Sequence, residues 1–155
     1  MALSPSEELV FDEDDLAPAA AVMGELAAAG RGWVNFRPEV EGGHERPPKG
    51  FLFALFSGRG EAVPLATWST EGPNGRYSVG ITHGSGPRAL ARLADADVAL
   101  PPGWLRQADH PRRGLVATTP GDADLDATLW WMLTASHVLS EPPLTGAWQA
   151  LVYRD

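Results

Sequence analysis

Cysteine is absent from the chain, which removes disulfides, thiolate metal ligands and a cysteine nucleophile together. A reducing interior suits such a chain, and a cytoplasmic location is the expectation. Lysine is almost missing as well: eleven of the twelve basic residues are arginine, and Lys49 stands alone. Schiff-base chemistry would therefore have to use that single lysine, set in a loop. No apolar run approaches the ~20 residues that cross a bilayer. The opening Met1-Ala-Leu-Ser-Pro-Ser-Glu-Glu8 also lacks the basic and apolar segments of a secretory signal. No membrane association is expected.

Basic residues are missing from the first fifteen positions, where Glu7, Glu8, Asp12, Glu13, Asp14 and Asp15 lie. The formal net charge of −8 is thus mostly an N-terminal property, since 14 acidic groups face 12 basic ones in the rest. Residues 1–13 read as an acidic flexible leader, either solvated or docking a partner. Residues 14–155 read as one domain, because 155 residues at 44% hydrophobic content can bury a core unaided. The overall charge disfavours nucleic-acid binding. Usage rich in Arg, Ala, Gly, Pro and Asp resembles that of proteins from high-GC bacterial genomes, so any single arginine carries less functional weight.

Periodicity gives the elements. Leu16, Ala20, Met23 and Leu26 recur at helical spacing, with Asp14 or Asp15 as cap, Pro18 in the first turn and Gly30 as the stop. Gly32–Arg37 alternates as a strand, and residues 38–50 form a loop rich in proline and glycine. Phe51–Phe56, the most apolar run, reads as a buried strand. Further strands fall at Ala62–Ser69, at Tyr77–Ile81 and at Gly114–Thr118, and Ala147–Tyr153 closes the chain. Helices are expected over Pro87–Ala94 and Asp122–Leu139, the latter placing Leu125, Leu129, Met132, Leu133 and Ser136 on one face. The order α-β-β-β-β-α-β-α-β predicts an α+β fold, with a mainly antiparallel mixed sheet of five to six strands and three helices.

The segment Tyr77–Leu93 is the most informative, because a strand, a glycine turn and a helix follow one another within it. Amides of Gly84, Ser85 and Gly86 can face a phosphate or carboxylate there, with the Ser85 hydroxyl and an Arg88 guanidinium beside them. His83-Gly-Ser-Gly-Pro-Arg88 can equally be a plain turn capped by Ser85 or His83 that binds nothing. The second candidate is Trp104–Arg113. In it His110 stands next to Asp109 for acid–base work, and Arg106, Arg112 and Arg113 can hold an anion, or else its polar residues simply face water. Union of the two segments would gather His83, Arg88, His110 and Arg112 in one place. His44 and His137 have no metalloprotease spacing, and no metal is expected. Trp130 and Trp131 point about 100° apart on a helix, so one of them is free to line a pocket or a partner surface.

The turn resembles one element of the Gcn5-related acetyltransferases over about a tenth of the chain. Gly84-Ser-Gly86 followed by Ala89-Leu90 looks like that family's Gly-x-Gly turn and helix, which implies coenzyme A pyrophosphate at the turn. Ile81 stands where the family has Arg or Gln, and Pro87 sits where an amide would be. The leading expectation is a domain that binds an anionic small molecule or peptide at this turn, with group transfer by His83 or His110 as the chemistry if any occurs. The alternative is a non-catalytic protein-interaction module of the immunity or adaptor kind, using the acidic leader and an exposed tryptophan.

Overall fold

The computed structural model describes residues 4–42 and 62–154. The expected strand Phe51–Phe56, together with His44 and Lys49, lies outside the described residues. Along the chain come β1 (Glu7–Asp12), α1 (Ala17–Ala29), β2 (Trp33–Val40) and β3 (Leu65–Ser69). A 3-10 turn at Pro73–Gly75 leads into β4 (Tyr77–Thr82), followed by α2 (Ala89–Asp95), β5 (Leu105–His110) and β6 (Gly114–Thr119). The chain closes with α3 (Leu125–Leu139) and β7 (Leu144–Tyr153). One sheet runs in the order β1-β7-β2-β3-β4-β6-β5, and every pairing in it is antiparallel. The fold is α+β, with seven described strands where five to six were expected.

Strict alternation explains the centre of the sheet. Val34 and Phe36 on β2, Ala66 and Trp68 on β3, Val79 and Ile81 on β4, and Trp148, Ala150 and Val152 on β7 all turn to one face and are buried. Helices α1 and α3 cover that face with Met23, Leu26, Leu129, Met132 and Leu133. Asp124 caps α3 by accepting from the Ala127 amide at 3.0 Å. Helix α1 starts two residues later than a cap at Asp14 would give: Leu16 and not Asp14 or Asp15 holds the cap position, and Asp15 Oδ1 accepts from the Ala17 amide at 3.2 Å. Gly30 ends it in the left-handed region at φ 74°.

Two strands differ from expectation, and both are edges. The acid-rich stretch read as a leader is β1, registered on β7 from Glu7↔Val152 to Asp12↔Ala147. Its carboxylates are tolerable because an edge leaves them in water, where charge also discourages further strand pairing. What holds β1 down is Phe11, 6% exposed and edge-on to Phe36 at 6.0 Å between ring centres. At the other edge, Leu105–His110 is β5 and not an irregular connection. A register shift between Arg106 and Ala108 obscures its alternation. No described helix is long and apolar enough to cross a membrane.

Candidate functional site

Strand β4 delivers His83 to a fully buried position at its end. The Ser85 amide donates to His83 Nδ1 at 3.3 Å, and Ser85 Oγ lies 2.8 Å from the same nitrogen. An amide can only donate, so Nδ1 must be the acceptor and the proton of the neutral ring sits on Nε2. Nε2 is buried with no hydrogen-bond partner among the described residues. Burial is the main cause that lowers the His83 pKa; the nearby Arg92 charge adds to it, and Asp109 opposes it. A proton on Nδ1 would also confront the Ser85 amide already aimed there. His83 is thus a buried residue whose Nδ1 accepts within its own turn.

The carbonyls of the turn are equally occupied. Arg92, one turn into α2, donates from Nη1 to the Ser85 carbonyl at 2.9 Å. Its Nη2 donates to the carbonyls of Gly86 at 2.9 Å and Pro87 at 3.0 Å. Gly86 takes φ 95°, a conformation that favours glycine, and Arg88 sits in the left-handed region at φ 62° with its side chain exposed.

The anion that the helix start was expected to attract is already present, and it comes from the protein. Asp109 on β5 accepts from the Ala89 amide with Oδ1 and from the Leu90 amide with Oδ2, each at 3.0 Å. The amides of the helix start are therefore satisfied from within the chain, and of the turn amides expected to face an anion, that of Ser85 donates to His83.

The same carboxylate joins the two segments. The hairpin between β5 and β6 is fastened to the start of α2 by Asp109. Its last residue, Gly114, comes so close to β4 that a Cβ would lie 2.4 Å from the Ile81 carbonyl oxygen. Within the hairpin, His110 Nδ1 accepts from the amides of Arg112 and Arg113, both at 3.1 Å. Gly84, Ser85, Gly86 and Arg88 thus share one corner of the molecule with His110 and Arg112, while His83 lies buried beneath. Arg92 and Arg113 belong to it too. Arg88, His110, Arg112 and Arg113 are exposed.

A second cluster lies at the opposite end of the sheet, around Glu13. His137 Nε2 stands 2.9 and 2.8 Å from the two carboxylate oxygens, and Trp148 Nε1 donates to Oε2 at 3.1 Å. His137, near the end of α3, is thereby tied to the β1–α1 connection. Among the described residues, no group of three or more His, Asp or Glu side chains is placed to hold a metal ion. No family profile, curated protein or solved structure matches this chain.

Sequence reasoning found the turn and the arginines but not the part of Asp109, named only as a neighbour of His110. Its contact with Ala89 spans 20 positions, and no local pattern reveals that. Arg92 was hidden in the same way, since its partners are backbone carbonyls.

Proposed function

We propose that this corner binds the anionic group of a small molecule or peptide, a carboxylate or phosphate, through guanidinium side chains and not through helix amides. The carrying observation is the Asp109 bridge, which holds the Arg88 turn and the Arg112–Arg113 hairpin together. Asp109 is the one acid of these two segments, and both of its oxygens already serve amides, in a chain whose net charge is −8. Arg88 and Arg113 supply planar forks suited to such oxygens, and the Ser85 hydroxyl, the exposed His110 and Arg112 lie at the rim. Buried His83 is not an acid or base in this reading, so binding alone is assigned.

Calorimetric titration tests it, with pyrophosphate, citrate and coenzyme A as probes. A charge-assisted bond is worth about 1.5–3 kcal/mol, so Arg88→Ala and Arg113→Ala should each weaken the best probe roughly tenfold or more. Equal affinity in the Arg88→Ala, Arg113→Ala double variant would sink the assignment. So would an absence of binding by every probe.

A further inference from the structure

The adjacent tryptophans of α3 part company as helical geometry requires. Trp131 turns inward, 7% exposed, donates from Nε1 to the Ala99 carbonyl at 3.0 Å and meets Trp104 edge-on at 5.0 Å. Trp130 turns outward and is 51% exposed. Beside it runs a groove of about 270 Å³, walled by Val98 and Pro101 from the α2–β5 connection and by Ala127 and Thr134 from α3. That is smaller than the roughly 300–1,000 Å³ of small-molecule pockets. It suits a single inserted side chain.

The charge of the groove selects which side chain. Among the described residues Asp97 is the one charged residue lining it, and Asp126, also exposed, stands one helical turn before Trp130. Neither carboxylate takes part in the ion pairs of the described residues, and none of the described lining residues is basic. Thr134 Oγ1 is committed to the Trp130 carbonyl at 2.8 Å, so it does not compete. Asp97 also occupies a costly position. It takes φ 63° just past the end of α2, where its amide reaches the Ala94 carbonyl and the Val98 amide the Leu93 carbonyl. Glycine is the usual residue at such a helix stop. An aspartate there puts a carboxylate in the lining of the groove that Trp130 also lines.

We propose that the Trp130 groove is a docking site for an arginine side chain presented by an extended segment of a partner protein, the guanidinium lying on the Trp130 ring and paired with Asp97. Arginine suits it better than lysine because its planar, weakly hydrated head stacks on an aromatic face while its edge donates to a carboxylate. The site is separate from the arginine-bearing corner and carries the opposite charge.

The test uses the full chain labelled with nitrogen-15, whose tryptophan indole signals are assigned with Trp130→Phe. An arginine-containing hexapeptide should shift the Trp130 indole resonance saturably, and the same peptide with citrulline should bind at least fivefold more weakly. Asp97→Asn removes the charge but tolerates the left-handed backbone, so it should weaken the arginine peptide about fivefold with an unchanged melting temperature. Equal response to the citrulline peptide, or undiminished affinity in Asp97→Asn, overturns the proposal. Self-association in sedimentation that Trp130→Ala abolishes would assign the groove to a second copy of this chain and overturn it equally.

Discussion

At the scale of single residues, His83 and Asp109 carry the corner by being neutral and charged respectively. The folded His83 titrates below its ordinary 6.5, chiefly through burial and then through Arg92. The unfolded chain therefore binds the extra proton first as pH falls. The stability His83 confers is complete above about pH 6.5 and declines below it, toward the lower folded value. Urea unfolding between pH 7.5 and 5 should show that decline, and His83→Gln should flatten it; an identical slope in the variant would refute the linkage. Asp109 acts through geometry. Asp109→Ala leaves the Ala89 and Leu90 amides without acceptors and releases the hairpin, which should cost about 1–2 kcal/mol in the same experiment. A variant as stable as the parent would show that water replaces the carboxylate freely, and the corner would lose its fastening.

At the scale of elements, β1 shows why neighbouring residues of one strand differ so much. Phe11 faces the core at 6% exposure, whereas Val10, pointing the other way, is 77% exposed. Phe11→Ala should cost about 3–5 kcal/mol of unfolding free energy, and Val10→Ala should stay within about 0.5 kcal/mol. Similar costs at the two positions would mean that β1 is not held by its inner face. The same strand marks the limit of what the sequence discloses. Helices α1 to α3 and strands β2, β3, β4, β6 and β7 were legible because apolar pattern and burial agree, as in Val34-Asn-Phe36 or the Leu129, Met132, Leu133 face. Edges β1 and β5 were not, because an edge strand buries one side chain or few and carries Glu7, Glu8, Arg106 and Asp109 without penalty. At the candidate site, the glycine turn was legible from its composition. The capping of α2 by a residue of β5 was not, since it exists only once the sheet has formed. The parting of Trp130 and Trp131 was legible because it follows from helical pitch alone.

At the scale of the whole molecule, the two proposed sites sit in one field. The net charge of −8 gives the surface a negative potential that favours an approaching cation and opposes an approaching anion. Screening acts differently on these two cases. Going from 10 mM to 150 mM salt shortens the Debye length from about 30 Å to about 8 Å, which removes the field of distant groups such as Glu7 and Glu8 before that of contacting ones. At the Trp130 groove, distant and local charges both attract the arginine peptide, so its affinity should fall steadily with salt. At the Arg88 corner the distant charges repel an anion while the guanidinium groups hold it. Salt there relieves repulsion as it weakens attraction, and the affinity for citrate should change by less than about threefold over the same range. Calorimetry at four salt concentrations for each ligand separates these behaviours. A fall for citrate as steep as that for the arginine peptide would mean that local charge alone governs the corner, and that the acidity of the rest of the chain does not reach it.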